Sequence, residues 1–190
     1  MLTVGDLLKS HLEHATDALM ERRPAVLIEA VDDQEKLLRE RDTTIHTETM
    51  RIDRSLFTAE ALALSSERLV ELQDMVSDAS RIFVLEKTGD NPSPNICLGR
   101  AARNDVVIAD PTVSSSQASI RFDGTHYHLR DLESANGTYV NRLKVGSDEQ
   151  KTLRDGDTLR LGGRVFYFLW PDTFVLFVEL RANRIDLASQ

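Results

Sequence analysis

The spacing of apolar positions changes character once along the chain. Up to about residue 78, Val4, Leu8, Leu12, Ala15 and Leu19 recur every three or four residues, the period that gathers side chains on one helix face. Pro24 in "ERRPAVLIEA" interrupts the pattern as a helix boundary does. A second amphipathic run takes in Leu27, Val31 and Leu38 and extends through Ile45, Ile52 and Leu56. It crosses a threonine-rich stretch whose β-branched side chains favour helix less. A third helix is predicted in "AEALALSSERLVELQDMVSD", capped by Thr58, with Leu62, Leu69, Leu72 and Val76 on one stripe.

Beyond Ser80 the period shortens. "RIFVLEK", "NICLGR", "DVVIAD", "QASIRF", "HYHLRDL", "TYVN", "DTLRLGG" and "RVFYFLW" are β-rich runs separated by turn signals such as "TGDNPSPN", "DGT", "ANGT" and "RDGD". Strands at this density predict a β-sandwich. The Asp-Gly pair of "FDGT" predicts a two-residue hairpin turn. Pro171 then opens "PDTFVLFVELRA", where Phe174, Phe177, Val178 and Arg181 follow helical spacing. This predicts a short C-terminal helix, with a last strand as the alternative. The fold class expected is therefore α+β: a helical region over 1–78, an antiparallel β-sandwich over 79–170, a helix over 171–183 and a tail over 184–190.

Charge separates the same two parts. The 190 residues carry a formal charge of -8, and residues 1–80 hold 9 Lys/Arg against 17 Asp/Glu while the rest is balanced. The first region is thus the acidic one, and a chain without a basic stripe is a poor partner for nucleic acid, whose phosphates need Lys and Arg. Apolar residues at 41% and charged residues at 28% describe an ordinary folded chain. No apolar run approaches the ~18 residues that cross a bilayer, and the opening stretch is acidic with no basic start before an apolar run, so a protein neither secreted nor membrane-spanning is expected. Cys97 stands alone, which removes disulfides and cysteine metal clusters and suits a reducing cytoplasm.

Enzymatic readings find little support. Ser114, Ser115 and Ser116 with His126, His128 and Asp131 hold the letters of a hydrolase triad, yet no Gly-x-Ser-x-Gly elbow surrounds a serine. His126 and His128, two apart on a strand, lack a third metal ligand beside them. No catalysis, cofactor or metal is expected.

What remains is an ordered set of loops. "LGRAARNDVVIADPTVSSSQASI", then "DLESANGTYVN", then "LRDGDTLRLG" together resemble a forkhead-associated (FHA) domain of the kind found in bacterial proteins. The likeness covers roughly residues 81–170. It implies a sandwich of about eleven strands whose loops at one end bind phosphothreonine peptides. A phosphate with nearly two charges and three acceptor oxygens needs a cation and several donors. By the resemblance Arg100 supplies the cation, Ser114 a hydroxyl, Ser115 a backbone N–H and hydroxyl, and Asn136 a bond to the peptide backbone. Gly99, Asn104, Gln117, Gly137 and Thr138 support the loops.

Three departures from the family pattern bear on strength. Gln117 stands where the family has a loop-holding histidine, and its amide offers both donor and acceptor. Ser115 and Ala135 replace side chains that elsewhere add phosphate contacts. A charge-assisted bond is worth roughly 1.5 to 3 kcal/mol, so each loss weakens binding by about ten- to a hundredfold. Two readings compete: a phosphothreonine-dependent adaptor whose partner is a Ser/Thr kinase or its substrate, or a scaffold making phosphate-independent protein contacts. A third has Thr43, Thr44, Thr47 or Thr49, once phosphorylated, docking into the chain's own site. Leu62, Leu69 and Val76, seven apart, also suit a homodimer through the N-terminal helices.

Overall fold

The computed structural model describes residues 2–11, 25–30, 66–88 and 93–188. Thr43, Thr44, Thr47, Thr49, Thr58 and Leu62 lie outside them, as do the apolar positions from Leu12 to Leu19 and from Val31 to Leu56. In chain order the elements are α1 (Val4–His11), β1 (Val26–Glu29), α2 (Ser66–Met75), β2 (Ile82–Val84), β3 (Ile96–Gly99), β4 (Val106–Val107) and β5 (Ala118–Phe122). There follow β6 (Tyr127–Asp131), β7 (Thr138–Val140), β8 (Leu143–Lys144), β9 (Lys151–Leu153), β10 (Thr158–Leu161), β11 (Arg164–Leu169) and α3 (Pro171–Ala188).

The strands make two sheets, β2-β1-β11-β10-β7-β8 and β4-β3-β5-β6-β9. Every pairing is antiparallel except β3 with β4. Between the sheets lie Leu98, Ile108, Ile120, Leu129 and Leu153 on one side and Leu27, Leu159, Leu161, Phe166 and Phe168 on the other, all fully buried. Each such side chain stabilises the fold by about 1.5–3 kcal/mol over an exposed one.

Val26–Glu29, which the apolar spacing assigns to a helix, is a strand paired with both β2 and β11. The reason is burial on both faces. Ala25 and Leu27 enter the core between the sheets, while Val26 and Ile28 enter a second core on the outer face. A strand covered on both sides reads as an unbroken apolar run, which periodicity alone does not distinguish from a buried helix. β11 divides likewise: Phe166 and Phe168 point inward, and Tyr167 and Leu169 outward.

Three helices form that outer layer. Val4, Leu7 and Leu8 of α1, Leu72 of α2 with Val76 just after it, and Phe174, Phe177 and Val178 of α3 close over β1, β2 and β11. The apolar stripes of α1 and α2 are thus occupied within the chain. Thr3 and Asp6 cap α1 reciprocally: the Thr3 hydroxyl accepts from Asp6 N at 3.1 Å, and the Asp6 carboxylate accepts from Thr3 N at 3.2 Å. Pro171 starts α3, and the carboxylate of Asp155 accepts from Trp170 N at 2.9 Å and from the Thr173 hydroxyl. The helix runs to Ala188, past residue 183 where the tail was expected, because no Gly or Pro stops it.

The β5–β6 turn centres on Gly124 and Thr125 rather than on Asp123 and Gly124. Asp123 N donates to His126 O at 3.1 Å, and the Asp123 carboxylate accepts from Thr125 N and His126 N, both at 2.8 Å. Among the described residues no helix is long and apolar enough to cross a membrane.

Candidate functional site

Two loops meet at one end of the sandwich. The first, residues 110–117, feeds β5; the second, residues 132–137, feeds β7. Their junction is Gln117, fully buried. Its Oε1 accepts from Ser114 N at 2.9 Å, and its Nε2 donates to Gly137 O at 3.1 Å and to Thr138 Oγ1 at 3.0 Å. One amide therefore binds the turn of its own loop to the start of β7.

The remaining predicted residues surround this junction. Arg100, exposed just beyond β3, donates its backbone N–H to Ser114 O at 2.9 Å and its Nε to Val113 O at 3.2 Å. Ser114 Oγ accepts from Ala135 N at 2.9 Å, and Asn136 Nδ2 donates to Thr112 O at 2.7 Å, so the loops are stitched to each other twice more. Ser115 is exposed, with its carbonyl taken by Ala101 N at 3.2 Å and by Asn104 Nδ2 at 2.7 Å. Asn104 is buried and also donates to Ala101 O at 2.8 Å.

Gly99 is required by the crossing of chains. A Cβ there would sit 2.6 Å from Ser115 O and 3.0 Å from Gln117 N, closer than carbon tolerates. Gly137 adopts φ +78° at the turn into β7, a conformation that side chains disfavour. Arg100, Ser114, Ser115 and Asn136 thus converge on one surface, with Asn104, Gln117 and Thr138 beneath it.

Sequence reasoning missed the residues that anchor the first loop. Asp110 Oδ1 accepts from Thr112 N at 2.8 Å and from the Thr112 hydroxyl, and these bonds, the hydroxyl one foremost, hold its carboxyl below the usual range. Thr112 Oγ1 in turn accepts from Gly163 N at 2.9 Å. The signal was present in "DPT", an Asp two residues before a backbone donor. Arg103 adds a second cation, its Nη2 donating to Ser116 Oγ at 3.2 Å. Asp105 accepts from Lys87 at 2.9 Å and from Cys97 N at 2.8 Å; burial pushes its carboxyl up, but its hydrogen bonds outweigh this and hold it down.

The letters of a hydrolase triad disperse. Asp131 accepts from Ser134 N at 3.0 Å and from Ser134 Oγ at 2.6 Å, in its own turn. His128 of β6 pairs with Asp123 in the β5–β6 turn at 2.7 Å and with Thr152 of β9 at 3.2 Å. Among the described residues no three His, Cys, Asp or Glu side chains are placed to hold a metal ion.

Comparison with known proteins shows what the chain is similar to. A family model described as FHA domain matches residues 96–162. The chain is 30% identical over 143 residues to the glycogen accumulation regulator GarA of Mycobacterium tuberculosis, an alignment covering 68% of this chain and 86% of GarA. It is 29% identical over 114 residues to protein FraH of Nostoc sp., covering 60% of this chain but only 36% of FraH. Among solved structures, Mycobacterium tuberculosis EmbR in complex with a low affinity phosphopeptide superposes with a TM-score of 0.41 and 31% identity, over 47% of this chain and 22% of EmbR. The chain therefore spans well under two thirds of FraH and of EmbR. With its two sheets and its joined loops, and with GarA matched over most of its length, the chain belongs to the FHA domain family.

Proposed function

We propose that this chain is a phosphothreonine-peptide-binding adaptor in signalling. Its partner is a phosphothreonine-bearing protein, a Ser/Thr kinase or its substrate. The observation that carries this reading is the buried Gln117 amide with its three hydrogen bonds. A site for a phosphate dianion works when its donors are fixed before the ligand arrives, and the Gln117 amide holds both loops. Kinship with GarA, named as a regulator of glycogen accumulation, supports a regulatory role.

The roles follow from chemistry left over after folding. Arg100 offers an exposed guanidinium for charge-assisted bonds to phosphate oxygens. Ser114 accepts one bond through its oxygen, and its O–H is a donor for phosphate. Asn136 gives one N–H to Thr112, and its Oδ1 is an acceptor for a peptide N–H. Ser115, with its carbonyl held by Asn104 and Ala101, contributes its N–H and hydroxyl. With Ser115 and Ala135 in place of larger donors, binding is weaker than in members that carry them, by about ten- to a hundredfold per lost bond.

The test is a titration of phosphorylated against unphosphorylated threonine peptides, with Arg100→Ala as control. Binding only of the phosphorylated form, lost in Arg100→Ala, is expected. Equal binding of both forms, or Arg100→Ala binding like the unaltered chain, overturns the reading in favour of a phosphate-independent scaffold.

A further inference from the structure

Glu29 ends β1, outside the stretch that the FHA family model matches, and is 5% exposed. Its carboxylate accepts from Arg81 Nε at 2.5 Å and Nη2 at 2.6 Å, and from Arg164 Nε at 2.7 Å and Nη2. Burial alone would push this carboxyl up; the bonds from the two guanidiniums outweigh it and hold it down. Arg164 Nε also lies 3.8 Å from Asp110 Oδ2. Asp110 holds Thr112 through its other oxygen, and Thr112 O receives the Asn136 side chain at 2.7 Å. Val113, next in the loop, accepts from Arg100 Nε. A continuous chain of polar contacts thus runs from the N-terminal strand to the loops that carry Arg100 and Asn136.

We propose that Glu29 is a positioning residue for the recognition loop, acting through Arg164 and Asp110 on Thr112; the inference rests on the binding reading above. Its physical basis is competition. Among the described residues Glu29 accepts from both guanidiniums, Arg164 also lying beside Asp110, so that Asp110 keeps its geometry on the Thr112 N–H and hydroxyl. Removing the Glu29 charge takes away the carboxylate that accepts from Arg81 and Arg164 and draws them off Asp110. Its carboxylate is then drawn from the Asx turn toward the guanidiniums, and the turn that presents Thr112 O to Asn136 loosens. A purely electrostatic role predicts the opposite sign, because removing a negative charge near the site would favour phosphate and tighten binding.

The full chain carries the experiment, with a phosphothreonine peptide selected from a degenerate library on the unaltered chain as probe. Glu29→Gln is expected to weaken peptide binding by about tenfold. In the peptide-free protein it shifts the amide resonances of Thr112, Val113 and Ser114 and the side-chain amide of Asn136, while those of Leu129 and Tyr127 stay in place. Combined with Thr112→Val it adds little to the loss that Thr112→Val causes alone, since both act along one path. Unchanged or tighter binding in Glu29→Gln, with the loop resonances in place, overturns the inference. If the unaltered chain binds no phosphopeptide, the binding reading fails, and the resonances alone decide whether Glu29 positions the loop. Should Glu29→Gln fail to fold, Glu29→Asp keeps the charge but draws the carboxylate back by one methylene from both guanidiniums; the same shifts are expected, and their absence overturns the proposal.

Discussion

Gln117 Oε1 lies 2.9 Å from Ser114 N, and the same side chain's Nε2 lies 3.0 Å from Thr138 Oγ1, with no solvent reaching the amide. One residue closes two loops by being donor and acceptor at once. Gln117→Leu keeps the volume and removes both functions, leaving the Ser114 N–H without its acceptor and Gly137 O without its Nε2 donor. An unmade bond at a buried group costs about 1–3 kcal/mol. The expected outcome is a loss of about 2–4 kcal/mol in urea unfolding at unchanged m-value, with phosphopeptide affinity reduced at least tenfold. Stability equal to that of the unaltered chain would refute the bracing role.

Gly99→Ala tests the crossing of chains beneath the site. The added methyl meets Ser115 O and the Asn104 amide, and backbone cannot swing aside as a flexible side chain would. Overpacking of this kind costs roughly 1–3 kcal/mol. A melting temperature lowered by several degrees is expected, together with displaced resonances for Ser115 and Gln117. A variant as stable as the parent would mean that the two segments separate more easily than their hydrogen bonds imply.

Acid titration should reveal Glu29. Its folded carboxyl is held below the ordinary glutamate value of 4.5, so the folded state binds its proton less readily than the unfolded chain. The stability it contributes is complete above that ordinary value and is lost as pH falls through the lowered folded value. Asp155 runs the other way. Burial raises its carboxyl above the ordinary 3.8, so its contribution is present below that value and is lost as pH rises through the folded one. Denaturant midpoints measured from pH 7 to pH 3 should fall on the acid side in the unaltered chain. The fall should be shallower in Glu29→Gln and steeper in Asp155→Asn.

Legibility in the sequence followed burial. Ala118–Phe122 alternates apolar with polar residues and Tyr127–Asp131 alternates buried with more exposed positions, and both were expected as strands. β1 was not, because water reaches neither of its faces and the alternation that marks a strand is erased. β8 (Leu143–Lys144) and β9 (Lys151–Leu153) each hold a single apolar residue, too few to mark a strand. At the site, Arg100, Ser114, Ser115 and Asn136 were named from loop order and converge on one end of the sandwich. Asp110, Thr112 and Glu29 were missed for two reasons. "DPT" carries a local turn signal that was passed over, whereas the link from Glu29 to Arg164 spans 135 positions and no local pattern records it.

A fragment comprising residues 79–190, the sandwich and helix as the periodicity divides them, should not fold alone. It lacks β1, which lies between β2 and β11 and supplies Leu27 to one core and Val26 and Ile28 to the other. The backbone edges of β2 and β11 would be left unpaired, and unpaired edges promote aggregation. Dye binding to exposed apolar surface and a broad, non-cooperative melt are expected. A cooperative melt near that of the full chain would show that the sandwich closes without β1. Within the full chain, Leu27→Ala and Ile28→Ala should each cost about 2–5 kcal/mol although their side chains enter different cores.

Ser114→Ala separates ligand contact from loop support more sharply than any change at Gln117. Ser114 Oγ accepts from Ala135 N in an exposed setting, where water can replace the lost acceptor. The folded state should therefore lose no more than about 1 kcal/mol. The O–H that the proposal assigns to phosphate has no such substitute inside a complex, because the charged oxygen it faces is then desolvated. Affinity for the phosphothreonine peptide should fall by about tenfold or more, while affinity for the unphosphorylated peptide stays where it was. Ser116→Ala, whose hydroxyl accepts from Arg103, should leave both affinities within about twofold. Calorimetric titration of the two variants beside the parent decides the matter. Equal losses in Ser114→Ala and Ser116→Ala would assign the effect to the loop as a whole and remove Ser114 from the phosphate's direct partners.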